Sequence, residues 1–491
     1  MESLEEQYLQ SHRQRHTEEL MDFLRIPSIS MDPQFNLSLR EAATFLEEAC
    51  SRAGLEHVQQ VETTGAPLVY ADWLHVPGAP TVLVYGHYDV QPPGLPEHWT
   101  SPAFTPEIRE GRLYARGASD DKGQLFLHLK AVEAVLHLRG CLAFNVKMLI
   151  EGEEEIGSPA LQGLLRGQSD AKLRDRKNLS ELTVGLHNRV DLQADVVLIS
   201  DTPFLFADQP ALCMGVRGLC GLDVEVLGPT LPLHSGGYGG LVQNPIHALA
   251  TMLASLYTAE GYVAVPGFYD GLFPLAEVES TVLSQLSPAE GDLASQLGVP
   301  ALFGEPGYSP LERLWARPTL DVNAFCGGDC QGSVRTLIPR SARATITCRL
   351  GVGQDPTRIA DALWRHLERI TPQGVRLQMA RLDEARAWAA NPQHPVYAHA
   401  ARALAVGFRK SPTLIRMGGS IPVVSEFVDA LSAPVVLLGF GLPTDNIHAE
   451  DEHLSMVQFD GGLRTLLHYY QTELPAKSKL GEINDARTPN A

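Results

Sequence analysis

Basic residues are scarce: 39 lysines and arginines stand against 58 aspartates and glutamates, a net charge of −19. With no basic tract, the chain has nothing to neutralise a phosphate backbone and is repelled by anionic lipid surfaces, so no nucleic-acid or membrane partner is expected. Long apolar runs are also missing. No segment reaches the length of a membrane span, and the N-terminal "MESLEEQYLQSHRQRHTEEL" lacks the apolar core of a secretory leader, so a soluble, cytoplasmic protein is expected. Cysteine is sparse, seven in 491 residues without a CxxC pair, which fits reduced thiols better than a disulfide framework. "CGGDC", residues 326–330, reads as a glycine-rich turn. Repeats and low-complexity tracts are absent, and "AKSKLGEINDARTPN" near the C-terminus reads as a polar tail.

What is present is ordinary globular material. Apolar residues make up 44% and charged residues 20%, and the length exceeds that of one core, so two domains are expected. "PLVYADW", "TVLVYG", "NVKMLIEG", "DVVLISD" and "PVVLLGF" are short, continuously apolar runs of the kind found in strands covered on both faces. Between two of them, "GQLFLHLKAVEAVLHL" sets Leu125, Leu129, Val132 and Leu136 at helical spacing, which suits a crossover helix. From about Leu212 to about Glu384 the pattern changes. In "RATITCRL", Ala344, Ile346, Cys348 and Leu350 face one way and Arg343, Thr345, Thr347 and Arg349 the other, giving a sheet with one wet side. Helices are expected from Asn244-Pro245, as cap and first turn, and through "TRIADALWRHLERI". The expected fold class is therefore α/β: a mostly parallel sheet flanked by helices, formed by 1–211 and 385–491, around an inserted α+β domain at 212–384.

The ends of the apolar strands carry the chemistry. In "VLVYGHYDVQP", His87 and Asp89 flank Tyr88 where α/β sheets place ligand sites, outside the carboxyl ends of their strands. Alone, such a pair is more often a surface turn. "RLYARGASDDKGQ" puts Asp120 and Asp121 just before the crossover helix, where helix capping and the bridging of two cations both account for them. "IEGEEEIGSP" crowds Glu151, Glu153, Glu154 and Glu155 at the next strand end. A solvated acidic loop is the ordinary account, yet carboxylates this close repel one another unless a cation lies among them. "DVVLISD" ends on Asp201, and "LPTDNIHAEDEH" supplies His448 after the last buried strand. Each reads singly as a turn residue. Jointly, ligand-type residues at successive strand ends point to a pair of zinc-like ions with a water between them, His87 binding metal and Asp89 holding its other ring nitrogen.

In this order, HYDVQP, ASDDKG, EGEEEIGS, the Asp201 strand end and the His448 loop resemble the di-metal exopeptidases that include carnosine dipeptidases, carboxypeptidase G and the acetylornithine deacetylase and succinyl-diaminopimelate desuccinylase group, over nearly the whole chain. The resemblance implies that His87 and Asp201 hold one metal, that Glu155 and His448 hold the other, and that Asp120 bridges them. Glu154 matches the general base, which takes a proton from the bridging water and returns it to the leaving amine. Asp89 matches the residue that orients the first histidine, while Asp121 and Lys122 follow the motif without an assigned role. The inserted domain resembles the family's lid, which carries the dimer interface, so a homodimer is implied. His234, in "PLHSGGYGG", matches a histidine that polarises the scissile carbonyl from the neighbouring subunit, a contribution of roughly 3 kcal/mol. Arg349 matches the lid arginine for the substrate's carboxylate, and Thr336 lies in the neighbouring substrate loop. Gly419 and Ser420, in "RMGGSIPVVSEF", belong to a loop the family uses for the same carboxylate; locally, Ser420 reads equally well as a helix cap.

The resemblance also implies two divalent ions, zinc first, with manganese or cobalt accepted by the same ligands. The implied reaction is hydrolysis of dipeptides or small peptides with a free C-terminal carboxylate. An N-acyl amino acid amidohydrolase with the same metals and base is the alternative, and a non-catalytic relative would have lost ligands that this chain keeps. One departure bears on substrate preference: "FCGGDCQGSVRTLIP" has cysteines and an arginine where the dipeptidases often have an aromatic and a lysine.

Overall fold

The computed structural model describes residues 3–172, 190–328 and 335–480, so Cys330 of "CGGDC" and the tail beyond 480 lie outside the described residues. The chain divides into two units: Met1–Met214 with Ala390–Ile415 and Glu426–Ala491, and Gly215–Ala389 with Arg416–Ser425.

The first unit is built on a sheet in the order Glu56–Val61, Leu68–Trp73, Asn145–Glu151, Thr81–His87, Val196–Ile199, Val435–Leu437, Ala211–Val216. Its centre is parallel, from Asn145–Glu151 to Val435–Leu437, with antiparallel pairs on either side. The central strands are almost wholly buried, as continuous Val, Ile and Leu require when both faces are covered. Each apolar run read from the sequence forms one of these strands. The crossover helix, Lys122–Arg139, is buried on nearly every side rather than on one stripe, because it packs on Thr81–His87 and also against Leu4–Leu24 and Met456–Gln471. Its Lys130 accordingly pairs with Glu19 and Glu133 instead of reaching solvent. The described start of the expected tail is anchored: Lys477–Leu480 is a short helix with Leu480 buried.

The second unit has a four-stranded antiparallel sheet in the order Thr319–Gly327, Ser341–Leu350, Gly218–Leu227, Arg376–Arg381. Ala344, Ile346, Cys348 and Leu350 point into a core shared with Leu249, Met252, Ile359, Leu363 and Leu367. Those last residues come from the helices Pro245–Ala254 and Pro356–Ile370, which open on Asn244 and Asp355 caps accepting from Ile246 N and Arg358 N. The segment Arg416–Ser425, which the sequence reading places in the catalytic domain, groups with this unit instead. The reason is local bonding. Arg217 donates from its backbone to Gly419 O at 3.1 Å and from Nε to Gly418 O at 2.8 Å, and Arg416 pairs with Glu279. No helix among the described residues is long and apolar enough to cross a membrane.

Candidate metal centre

His87 ends its strand fully buried, with Nδ1 3.1 Å from Asp89 O and 3.4 Å from Asp89 Oδ1. A metal at this position would require the tautomer in which Nδ1 donates to that carbonyl and Nε2 keeps its lone pair. Nε2 lies 3.1 Å from Asp120 Oδ1 and 4.0 Å from Asp201 Oδ2. On the other side of Asp120, Oδ2 lies 2.8 Å from His448 Nε2, which is 3.4 Å from Glu155 Oε2. The ligand atoms thus form two groups, His87, Asp120 and Asp201, and Asp120, Glu155 and His448, each within 4.8 Å. Asp120 is common to both.

Asp89 also contacts the acidic turn. Its Oδ1 and Oδ2 accept from the backbone of Glu154 at 3.1 Å and Glu155 at 3.0 Å, which fixes the acidic turn against the histidine strand. Glu151 and Glu153, grouped with this turn in the sequence reading, serve other contacts. Glu151 Oε1 accepts from Tyr85 Oη at 2.5 Å and Ser158 Oγ at 2.8 Å, and Glu153 Oε1 accepts from Ala66 N at 3.2 Å. The strand-end geometry divides the four, sending only Glu154 and Glu155 toward Asp120.

The electrostatics of this assembly favour cations. Burial pushes the Glu154 carboxyl up to about 7, with Asp120, Glu155 and Asp89 adding to the rise against the opposing pull of His87. Burial and the nearby Asp120 and Asp121 likewise raise Asp201 well above the carboxylate range. Burial works to raise Asp120 too, but the hydrogen bonds from His448 and His87 outweigh it and hold that carboxyl low. Asp121 is buried with Oδ1 unpartnered, while Oδ2 accepts from His87 N at 3.2 Å. Carboxylates and imidazoles in this number and proximity fit divalent cations, which would take the place of the protons on the two rings.

The sequence left capping open for Asp120 and Asp121. The helix starts at Lys122 with Asp121 at the N-cap position, yet no side-chain cap bond forms. Lys122 turns away to donate to Phe23 O at 3.1 Å and Ile26 O at 2.6 Å, closing the C-terminus of the first helix. The sequence also gave no sign of Glu452, Asp445 and Arg116. Glu452 is 1% exposed and accepts from Arg116 Nη1 at 2.7 Å, Gly117 N at 3.0 Å, Ser119 N at 3.0 Å and Asp120 N at 3.1 Å. Its loop also carries His448, whose backbone takes a left-handed φ of 64°, a conformation costing on the order of 1 kcal/mol for a residue with a Cβ.

The remaining expected residues belong to the second unit. His234 pairs with Leu337 in a two-stranded ladder beside Thr336, whose carbonyl accepts from Ser235 N at 2.8 Å. His234 Nδ1 accepts from Gly236 N at 3.1 Å, so Nε2 carries the proton of the neutral ring and remains a donor. Arg349 Nη1 donates to Ser420 Oγ at 2.8 Å, and that hydroxyl donates to Gly218 O at 3.1 Å. Ser420 is therefore not the cap of the next helix, which begins at Pro422. Gly419 adjoins it and accepts the Arg217 amide. Arg217, missed in the sequence, is 7% exposed, and burial together with the Arg349 charge pulls its guanidinium down to about 10.

The model of peptidase family M20/M25/M40 matches residues 83–472, a span that contains both ligand groups. The chain belongs to this family. It is a metallopeptidase with a candidate two-ion centre. It is 27% identical over 458 residues to the Cys-Gly metallodipeptidase dug1 of Schizosaccharomyces pombe, covering 90% of this chain and 92% of that protein. It is likewise 27% identical over 480 residues to the Beta-Ala-His dipeptidase of Homo sapiens, covering 94% and 91%. The crystal structure of human carnosine dipeptidase 1 superposes with a TM-score of 0.80 at 26% identity, covering 98% of this chain and 100% of the other. Helices flanking a mostly parallel central sheet are common to both folds.

Proposed function

We propose that this metallopeptidase hydrolyses the amide bond of dipeptides or small peptides bearing a free C-terminal carboxylate. The observation that carries the proposal is Asp120, whose two oxygens face His87 at 3.1 Å and His448 at 2.8 Å. Relatives named for Cys-Gly and Beta-Ala-His dipeptides support the substrate class. In this reading His87, Asp120 and Asp201 hold one divalent ion and Asp120, Glu155 and His448 the other, a donor set that suits zinc, manganese or cobalt. When bound, the ions acidify a water and polarise the scissile carbonyl.

Glu154 is the general base: it takes a proton onto its carboxylate and delivers it to the leaving nitrogen. Asp89 keeps the His87 ring in the ligating tautomer. The partner subunit's His234 offers its Nε2 proton to the carbonyl oxygen, where a donor is worth roughly 3 kcal/mol. Arg349, steadied by Ser420, receives the carboxylate with the Thr336 and Gly419 segments, and a guanidinium fork suits that task.

The proposal includes a homodimer through the second unit. Supporting it, Thr319–Gly327 is an edge strand with Val322 42% and Phe325 46% exposed. It also includes cytoplasmic residence, supported by Cys220 and Cys348, which face each other across neighbouring strands as free thiols. The deciding experiment is a substrate panel on metal-reconstituted protein. Turnover of unblocked dipeptides is expected; turnover confined to N-acetyl or N-succinyl amino acids contradicts the proposal.

A further inference from the structure

Two loops distant in sequence must agree in position for Asp120 to face both histidines. Asp120 lies on the 115–121 loop, and His448 lies on the loop that follows the Val435–Leu437 strand. The contact between these two ligands is the 2.8 Å approach of His448 Nε2 to Asp120 Oδ2. The His448 side chain is 52% exposed, so packing around the ring contributes little to its placement. Something in the backbone has to set the spacing.

Glu452 is placed to do so. It stands four positions after His448, and its carboxylate spans the opposite loop from Arg116 to Asp120. Oε2 takes Arg116 Nη1 and the Gly117 amide, and Oε1 takes the amides of Ser119 and Asp120 itself, all between 2.7 and 3.1 Å. The grip is doubled by Asp445 from the same loop, whose Oδ2 accepts from Ser119 Oγ at 2.8 Å and Leu442 N at 2.8 Å. Backbone bonds continue the seam: Ala115 N donates to Glu452 O at 3.1 Å, and His453–Ser455 pairs with Arg112–Tyr114. A fully desolvated carboxylate satisfied by four donors has little freedom to shift, and it carries the Asp120 backbone with it.

We infer that Glu452 is a positioning residue: it holds the shared carboxylate Asp120 in register with His448 and so sets the affinity of both metal sites at once. The inference rests on the two-ion reading proposed above. Glutamine at 452 keeps the shape but turns one of its two heads into a donor. Either rotamer then meets backbone N–H groups, and Arg116 loses its counter-charge. Because Asp120 is common to both ligand groups, the loss should fall on both ions, at least tenfold each, in line with what supporting partners of metal ligands contribute.

The test is calorimetric titration of manganese or zinc chloride into chelator-stripped protein, comparing wild type, Glu452→Gln and Leu46→Ala. Leu46 is fully buried in the helix Asn36–Arg52, so its truncation destabilises the same unit without touching either loop. Expected are two ions on wild type and on Leu46→Ala with equal affinity, and at least tenfold weaker binding of both by Glu452→Gln. If Glu452→Gln does not yield folded protein, Glu452→Asp, which keeps the charge but draws the carboxylate back from the Arg116–Asp120 loop, decides in its place: weaker metal binding than Leu46→Ala supports the inference, and equal binding overturns it. Wild type that takes up two ions, with Glu452→Gln matching it, overturns the role of Glu452 alone. Wild type that takes up none overturns the two-ion reading and this inference together.

Discussion

In the second unit, charged and polar side chains pair in the open across strands: Arg343 with Glu225, Thr345 with Asp223, Thr347 with Asn323. In the first unit they sit at strand ends with almost no solvent, His87 and Asp89 at 0% exposure, Asp121 at 1% and Asp120 at 9%. The strands differ in length, Ser341–Leu350 being longer than Thr81–His87 or Val196–Ile199, but it is access to water that separates the two arrangements. A sheet face open to water satisfies its charges with solvent and neighbours. Carboxylates gathered at a buried sheet end have their protonation equilibria driven upward, as in Asp201 and Glu154, until a cation relieves them. The two units therefore teach which acidic residues require an explanation.

Variants that strike the buried side should have the largest effects. Glu154→Gln removes the proton acceptor without removing a ligand, and kcat should fall about a thousand-fold while both ions stay bound, measured by steady-state kinetics and elemental analysis of the same preparation. Near-normal turnover would remove Glu154 from the mechanism. Arg349→Ala should lower kcat/KM for free-carboxylate dipeptides by about 2 kcal/mol, the value of a charged hydrogen bond, and leave carboxyl-amidated analogues unaffected. Equal loss on both substrates would argue against carboxylate recognition.

A third prediction concerns stability and pH. Burial pulls the His128 imidazole down to about 3, where it accepts or donates to Tyr470 Oη and Ser200 Oγ, each at 2.7 Å. The unfolded chain binds that proton near pH 6.5, so between those values unfolding takes up a proton. The stability that neutral His128 contributes is complete above about pH 6.5 and is lost as pH falls toward 3. Between pH 7 and pH 5 wild type should lose roughly 2 kcal/mol that His128→Gln does not, read as the difference between their denaturation midpoints. Parallel pH profiles would contradict it. At the small end, Arg343→Ala on the wet sheet should leave both the melting temperature and turnover unchanged, since its partner Glu225 and solvent remain.

The same contrast governs how much could be read from sequence. Buried parallel strands advertise themselves as unbroken apolar runs, and their ends expose His87, Asp201 and the EGEEE turn in plain order. The alternation of 343–350 is equally legible because one face is dry and the other wet. What escaped notice acts on the backbone of remote segments. Glu452 binds Arg116 across 336 positions, and no local pattern distinguishes it from the acidic residues beside it. Glu151 and Glu153 show the converse: adjacency suggested one charge cluster, whereas strand pleating and the following turn send their carboxylates to Tyr85 and Ala66. Arg217 likewise has no local pattern to mark it, since its burial against Gly418 and Gly419 depends on a segment about two hundred residues away.

The account turns on Asp120 as a carboxylate shared between two ions, and the direct measurement is the metal content of wild type and Asp120→Ala after reconstitution and gel filtration. Two ions per wild-type chain and loss of both in Asp120→Ala are predicted. A wild type without metal, or an Asp120→Ala protein that still retains two ions, would contradict it.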